Sequence, residues 1–461
     1  MTAQTCRVLP LIALLSGCSF APAYHVPTSA APPAAFRIDP GWAPAQPADA
    51  VAKGAWWRLF DDPALDALEE RLVVTNQNLA AARAAYAQAM ATVRADRAAL
   101  LPSAGVSAGV GQSGRLTASA AATTLSAGGS ASWAPDLWGA LGNTTSAARA
   151  SAQASAAQLA NATLSAQGAL ATAYVTVRGI DAQAAMLDDT LVSYRRALVI
   201  AGNKYAAGTV SSADVDSARA TLANAEASRR DLARSRAAQQ AAIAVLVGEN
   251  PASFTLAPVA WHPVVPQVPA VVPSAVLERR PDIAAAERRV AAANATIGVQ
   301  RAAFFPAITL SASLDSNAGS VAKLFGAATS LWSLGGSAAE SLLDWGARSA
   351  RVAGARAAYD GTVATYRQTV LSAFQEVESD LAAVDAYRAE HAHYLEAATA
   401  ADRAETVTRN AWAAGTVDFT AVTATQATAY AARSNLIAST VNQQTATIAL
   451  IQSIGGHWSG E

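Results

Sequence analysis

The sequence predicts a mainly helical protein with a smaller β component, built from two internal repeats whose long helices pack as antiparallel coiled hairpins. Two observations support this fold class. Hydrophobic residues make up 52% of the 461 residues but aromatic residues only 6%, so much of the apolar content is alanine, a strong helix former and a poor filler of large cores. The phrase YAAGTV at 205–210 also returns as WAAGTV at 412–417, which indicates a duplicated plan.

Charge and hydropathy restrict the classes of partner. The 33 basic and 34 acidic residues give a net charge of −1, which does not favour nucleic acid or a strongly anionic surface. No stretch reaches the roughly 18 apolar residues of a membrane-spanning helix. If the chain crosses a membrane, we expect it to do so as a β-barrel.

The N-terminal segment predicts export. A short apolar stretch, 8–15, ends in LSGC at 15–18, which resembles the lipobox of bacterial lipoproteins. We therefore expect residues 1–17 to be a signal peptide and Cys18 to become a lipidated N-terminus. Because Ser19 rather than aspartate follows, delivery to the outer membrane is expected. An ordinary signal peptide with a chance cysteine is the alternative.

Residues 18–55 are expected to form an extended, lipid-anchored linker, because seven of them are prolines. The rest of the chain, 56–461, is expected to hold the two repeats, 56–260 and 274–461. Its first helix is predicted to start at Asp62-Pro63, since proline is favoured at the first helical position.

Each repeat has a helix that ends at a proline and precedes two weakly alternating, serine- and glycine-rich stretches. Segment 78–102 aligns without gaps on 282–306, and each ends in proline. The stretches are typical of strands with small residues, and we expect strands at 103–114, 119–134, 306–316 and 329–342. Four strands are too few for a membrane barrel, which starts at about eight, so a barrel would need several chains.

Long alanine-rich helices follow each strand pair and return through shorter ones, with bounds expected at 141–203, 211–247, 282–303, 346–413 and 419–454. The two longest begin after tryptophan–glycine corners, and we expect Trp138 and Trp345 to pack where strands and helices join, with an aromatic girdle at a membrane interface as the alternative. A seven-residue register predicts a coiled-coil seam on helix 211–247, with a plain buried helix as the alternative. The seam residues are Val215, Ala218, Leu222, Ala225, Arg229, Leu232, Arg236, Gln239, Ile243 and Leu246.

The repeated phrase is predicted to be the tip of a helical hairpin. Gly208 and Gly415 each follow a long helix, where glycine takes the left-handed conformation without a Cβ penalty. Ser211 and Asp418 then supply favoured N-caps for the next helix. The phrase occurs twice because the chain has two such hairpins.

No catalytic, metal or cofactor site is predicted. GVGQSG at 109–114 matches a dinucleotide-binding pattern, but such a site needs a helix directly after it, and the strand-like RLTASAAATT follows. We therefore expect GVGQSG to be a hairpin loop. His391 and His393 lie two apart on a predicted helix and face different sides, which makes them poor joint metal ligands. We therefore expect a protein that is not an enzyme.

Taken together, these motifs resemble those of the outer membrane factors, the trimeric ducts of efflux pumps and type I secretion. The lipoprotein branch that serves RND drug-efflux systems is the most similar. The resemblance covers nearly the whole chain, and LERRPD is its most specific part. The residues that carry it are the lipobox at Cys18, WWRLFDDPALDAL (56–68), DLWG (136–139), AGTVSSADVDSAR (207–219), VLERRPDIAAAE (276–287) and AGTVDF (414–419).

The resemblance implies a homotrimer in which four strands from each chain form a twelve-stranded barrel in outer membrane lipid. The helices would continue it as a periplasmic tunnel. It also implies a periplasmic adaptor and, through it, an inner-membrane RND transporter as partners. The expected function is passive conduction of small toxic molecules or drugs. A type I secretion duct and a non-pore periplasmic coiled-coil scaffold are the alternatives.

The resemblance also assigns roles to the tips. It implies that the adaptor contacts Tyr205, Gly208, Trp412 and Gly415. Asp214 matches an aspartate of the family's closed entrance, but the positions of the aspartate ring found in some relatives are Ala421 and Ala424 here. We therefore expect the entrance to close through other contacts, with Asp214 and Asp418 as the candidates.

Overall fold

The computed structural model describes residues 19–28, 54–114, 122–266 and 280–456. The predicted signal peptide, Cys18 and most of the proline-rich linker lie outside these residues. The chain divides into two compact units. The sheet-containing unit is Met1–Ser29, Ala84–Ala157 and Ala284–Thr369, and the helical unit is Ala30–Arg83, Gln158–Ile283 and Val370–Glu461.

The described residues hold seven α-helices and two short 3₁₀ turns, Trp56–Phe60 and Val321–Lys323. The helices are α1 (Pro63–Thr75), α2 (Gln77–Ala98), α3 (Ala140–Ala206), α4 (Ser212–Leu246), α5 (Pro281–Ala302), α6 (Ala347–Ala413) and α7 (Phe419–Ser453). Helices α3 and α6 both have 67 residues, and α4 and α7 both have 35. The predicted helices are confirmed to within about three residues at each end. Among the described residues, no helix has both the length and the apolarity that a membrane span requires.

The start of α1 confirms the predicted helix signal. The Asp62 side chain accepts hydrogen bonds from the backbone N–H groups of Ala64 (2.9 Å) and Leu65 (3.3 Å), and Pro63 occupies the first helical position. The other carboxylate oxygen of Asp62 accepts a 2.7 Å hydrogen bond from the Tyr174 hydroxyl. One side chain therefore caps α1 and links it to α3.

A core of large side chains lies within the helical unit, which the alanine-rich composition did not predict. The indole of Trp56 meets the indole of Trp57 and the phenyl ring of Phe60 edge-on. This cluster also includes Leu65, Leu72, Leu79, Leu170, Tyr174, Ile243, Phe254, Ile448 and Ile451. The N-terminal turn and α1 thus contribute much of the apolar volume that the long helices lack.

The predicted seam of α4 faces inward. All ten seam residues are buried or half-buried. Its two arginines are paired with acidic residues of α3: Arg229 Nε lies 2.8 Å from Asp188 Oδ1, and Arg236 Nε lies 2.6 Å from Asp181 Oδ1. The charged seam positions therefore join α4 to α3 by ion pairs instead of apolar packing.

The strands form one four-stranded antiparallel sheet with the order β1-β2-β3-β4. They are β1 (Ser103–Ser113), β2 (Ala122–Trp133), β3 (Ala307–Ala318) and β4 (Ser330–Ala339). All four predicted strands are confirmed, although β4 ends three residues before the predicted 342. Their lengths of 10 to 12 residues match the roughly 9–11 residues of a tilted membrane strand.

The tryptophan side chains of the two tryptophan–glycine corners have different surroundings. Trp138 packs where predicted: its Nε1 donates to the Pro306 carbonyl at 2.8 Å, and its ring stacks on Phe305 at 4.9 Å. The same prediction is wrong for Trp345, which is 96% exposed. Its positive φ of 52°, followed by Gly346 at 87°, turns the chain so that the indole is directed away from the protein.

Candidate functional site

The register of the sheet separates its side chains into two chemically different faces. Directly paired residues share a face, and successive residues alternate. The row Val106–Gly129–Leu314–Trp332 therefore lies on one face, and the neighbouring row Ser107–Gly128–Asp315–Leu331 lies on the other. Extended along the strands, the first face carries nearly all the large apolar side chains of the sheet: Val106, Val110, Leu125, Trp133, Ile308, Leu310, Leu314, Trp332 and Leu334.

The second face is polar and made of small residues. Leu331 is its one large apolar side chain. Serine, glycine and threonine dominate, as at Ser103, Ser107, Thr124, Ser126, Ser130, Ser132, Thr309, Ser311, Ser313, Ser333 and Ser337. One apolar and one polar face along every strand is the pattern of a sheet that has hydrocarbon on one side and water on the other.

Both edges of this sheet lack a partner strand within the described chain. β1 pairs with β2 alone, and β4 pairs with β3 alone. An unpaired edge presents free N–H and C=O groups that favour pairing with another chain. The sheet is therefore chemically incomplete in a single copy.

The two tips have the predicted backbone geometry. Gly208 has φ of +70° and Gly415 has φ of +76°, and the next residues close each helix in the same way. The backbone N–H of Thr209 donates to the Lys204 carbonyl at 2.9 Å, and that of Thr416 donates to the Ala411 carbonyl at 3.0 Å. A Cβ at either glycine would meet no atom within 4 Å, so the conformation, and not crowding, favours glycine.

The structure brings the two tips together through residues that the sequence did not single out. The ammonium of Lys204 lies 4.2 Å from the centre of the Trp412 ring, a cation–π contact. The Trp412 ring lies 5.3 Å from that of Phe419, which is buried. Tyr205, by contrast, is half-exposed at 52%. Lys204 carried no sequence signal, because this contact depends on how two hairpins 207 residues apart come together.

The two acidic tip residues have different surroundings. Asp214 Oδ2 accepts hydrogen bonds from the Ser211 backbone N–H (3.0 Å) and hydroxyl (2.9 Å), which caps α4. Asp418 is the N-cap of α7 and makes no capping bond with its side chain. In one chain, then, Asp214 is engaged within its own helix start, and Asp418 is available for other contacts.

The residues that follow Cys18 lie against the sheet-containing unit. Phe20 stacks on Phe305 at 4.5 Å, and the Pro22 carbonyl accepts a 2.9 Å hydrogen bond from the Asn294 side chain. Tyr24 donates to a carboxylate oxygen of Glu287. Segment 19–28 is therefore held along α5. The lipidation prediction itself concerns Cys18, which lies outside the described residues.

The GVGQSG segment and His391 have structural roles in the described chain. GVGQSG is not the predicted hairpin loop, because residues 109–113 form the end of β1, and the next described element is the strand β2. His391 Nδ1 lies 2.9 Å from the Ser439 hydroxyl, joining α6 to α7. Within the described ranges, no three His, Cys, Asp or Glu side chains gather in a group that would hold a metal ion.

Comparisons with known proteins agree with this geometry. A model of the outer membrane efflux protein family matches residues 68–249 and 272–456. The pyoverdine export outer membrane protein OpmQ of Pseudomonas aeruginosa is 28% identical over 477 residues, which cover 100% of this chain and 98% of the relative. The probable efflux pump outer membrane protein TtgC of Pseudomonas putida is 28% identical over 459 residues, with 96% and 94% covered. The structure of the outer-membrane channel OprN aligns with a TM-score of 0.84 and 27% identity, over 96% of this chain and 100% of that one.

Proposed function

The chain belongs to the outer membrane efflux protein family, and from this premise we propose that it is the outer membrane channel of a tripartite efflux pump. It conducts small toxic molecules or drugs passively out of the cell when docked to a periplasmic adaptor and an RND transporter. The observation that carries this proposal is the sheet with one apolar face, one polar face and two unpaired edges.

Three copies complete the sheet in this proposal. Because the strands alternate in direction from β1 to β4, β4 of one copy is antiparallel to β1 of the next. A head-to-tail ring of three copies therefore closes a twelve-stranded barrel without a parallel pair. The apolar face then meets outer membrane lipid, and the polar face lines the pore. The helices of the three copies continue the pore as a periplasmic tunnel.

The remaining predictions fit this assembly. The paired helix lengths and the two similar tips support an internal duplication, with repeats at 56–260 and 274–461. Lipidation of Cys18 tethers each chain, and segment 19–28 leads from that anchor along α5. The energy for export comes from the transporter, so this chain acts as a conduit and not as an enzyme.

Deletion of the gene, with ethidium as the probe, tests the efflux function. Cells that lack the chain are expected to accumulate the dye severalfold above cells complemented with it, and the purified protein is expected to form conducting pores in planar bilayers. Pores together with unchanged dye accumulation and lost secretion of a polypeptide would favour the type I secretion alternative. Recovery in the soluble periplasmic fraction without pores would favour the non-pore scaffold.

The tips are proposed to contact the adaptor at Tyr205, Gly208, Trp412 and Gly415, with Asp214 and Asp418 near the entrance. Gly208→Val and Gly415→Val force a β-branched side chain into positive φ, at a cost of roughly 1–2 kcal/mol. We expect both to lower efflux while trimer yield is kept. Gly202→Ala is the control, because Gly202 lies within α3 and has open space around it.

Two results would argue against a docking role for the glycines. Unchanged efflux in both tip variants would contradict it directly. An equal loss of efflux and of trimer yield would indicate that the two glycines act only as helix caps.

A further inference from the structure

We propose that Asp315 is a specificity-determining residue, whose three copies place the fixed negative charge of the strand-lined pore and favour the passage of cationic over anionic solutes. This inference rests on the proposed trimeric channel. The preference applies to solutes that pass through that pore. The evidence for it is the position, the isolation and the orientation of the Asp315 side chain.

The register assigns Asp315 to the polar face. It pairs directly with Gly128 on β2 and with Leu331 on β4, and Gly128 pairs in turn with Ser107 on β1. The adjacent row, with Val106, belongs to the apolar face. A shift of one residue would reverse these faces, but the continuous pairing along all four strands fixes the register.

Asp315 is the one ionisable residue in the four strands. β1, β2 and β4 contain no Asp, Glu, Lys, Arg or His, and β3 contains Asp315 alone. No basic nitrogen of a described residue lies within ion-pair distance of its carboxylate. On an otherwise neutral surface of hydroxyl groups and backbone, this charge dominates the local field.

The sheet makes room for this carboxylate and orients it. A Cβ at position 128 would lie 2.3 Å from Asp315 Oδ1, so the side chain occupies space that exists because Gly128 has no side chain. The Ser313 hydroxyl donates to Asp315 Oδ2 at 2.8 Å and lies 3.0 Å from the Ser333 hydroxyl. These partners are neutral, so the charge is held in place and not cancelled.

The location of the charge differs from that of an entrance ring. Asp315 lies eight residues beyond Ala307, the first residue of β3, or about 26 Å along the strand. It is three residues from the end of β3 at Ala318. The charge therefore lies toward the end of the pore farther from the helices, and the ring positions at the tips hold Ala421 and Ala424.

Ionic strength decides how far this charge acts. The Debye length is about 30 Å at 10 mM salt and about 3 Å at 1 M. Three carboxylates around a wide pore therefore influence the whole cross-section at low salt and very little of it at high salt. A selectivity that fades with added salt is the signature of this arrangement.

Reversal potentials of the full-length trimer in planar bilayers, under a KCl gradient, test the proposal. In the range of about 10 to 100 mM KCl we expect a preference for K⁺ over Cl⁻, which Asp315→Asn lowers at least about twofold. Asp315→Glu keeps the charge and should keep the preference. Asp315→Lys should reverse it. Asn317→Asp adds a second carboxylate to the same face and should increase the preference.

The outcomes distinguish a failure of the role of Asp315 from a failure of the proposed channel function. Conducting pores whose ion preference is the same in the wild type, Asp315→Asn and Asp315→Lys would overturn the role of Asp315 and leave the channel intact. Absence of any conductance from the wild-type protein would remove the proposed channel itself. If Asp315→Asn does not assemble, the ion preferences of Asp315→Glu and Asn317→Asp still test the role of Asp315.

Discussion

Large apolar side chains are exposed in the sheet and buried in the helical core. In the sheet, Val106 is 94% exposed and Leu334 is 77% exposed, whereas Leu72 and Ile451 in the helical unit are fully buried. Burial of apolar surface is the main favourable term in folding. One chain thus buries the apolar side chains of its helical core, whereas the apolar face of its sheet is exposed and both sheet edges lack a partner strand within the described residues.

This difference predicts which substitutions act on assembly and which act on folding. Changes on the apolar face of the sheet should affect insertion into the membrane and spare the helical content. Changes in the buried core of the helical unit should lower the free energy of unfolding in a way that does not depend on lipid.

The largest effect is expected from a charge on the apolar face. In the proposed trimer, Leu334→Arg places an ion near the middle of β4, at a cost of about 2–4 kcal/mol in each chain. We expect the wild type to run as a trimer in SDS without heating and this variant not to. Ser333→Arg is the matched control, because the neighbouring residue lies on the polar face, and it should assemble. Equal behaviour of the two variants would contradict the assignment of the faces.

The next effect concerns Arg280 in the helical unit. Its buried guanidinium lies 2.6 Å from Asp282 Oδ2 and 2.7 Å from Glu376 Oε2, and it donates to the Ser453 carbonyl at 3.0 Å. Arg280→Met leaves the buried Ser453 carbonyl and two partly exposed carboxylates without their cation, which should cost about 1–3 kcal/mol. Thermal unfolding monitored by circular dichroism at the helical band measures the loss.

Arg234→Met is the control for this experiment. Arg234 pairs with Asp231 at 2.7 Å, but both side chains are exposed, so the change should cost less than about 1 kcal/mol. If the two variants unfold at the same temperature, the contacts of Arg280 stabilise the fold no more than an exposed ion pair does.

A pH-dependent effect is expected at Glu69 on α1. Its side chain is fully buried, and neither carboxylate oxygen has a hydrogen-bond partner among the described residues. Burial, aided by the nearby charge of Asp66, raises its pKa from 4.5 to about 9. The folded chain therefore binds this proton more tightly than the unfolded chain does.

The sign of the pH dependence follows from that shift. The stability that Glu69 contributes is full below about pH 4.5 and is lost as the pH rises toward 9, by roughly 1.4 kcal/mol per pH unit. Glu69→Gln should remove this slope and raise the unfolding temperature at pH 8 more than at pH 5. If the unfolding temperature depends on pH in the same way in the wild type and the variant, the pKa of Glu69 is not raised by folding.

The sequence predicts the elements with a strong local signal. Asp62-Pro63 marks the start of α1, the two tip glycines have the positive φ expected of them, and the seam of α4 faces inward. The strands were found despite weak alternation, because prolines and tryptophan–glycine corners bound them. Each of these signals acts within a few residues along the chain.

Features that depend on distant residues were not accessible in this way. The face that Asp315 occupies follows from pairing with Gly128, and small residues made the alternation too soft to assign it. The contact of Lys204 with Trp412 joins two hairpins. The exposure of Trp345 follows from a left-handed turn at a residue type that rarely adopts one.

Native mass spectrometry of the protein extracted in detergent from purified outer membranes distinguishes a lipidated trimer from a water-soluble monomer. We expect a trimer in which each chain lacks residues 1–17 and carries acyl mass on Cys18. A monomer recovered without detergent would contradict it, because a single copy in water would have to cover the apolar face of its sheet by itself.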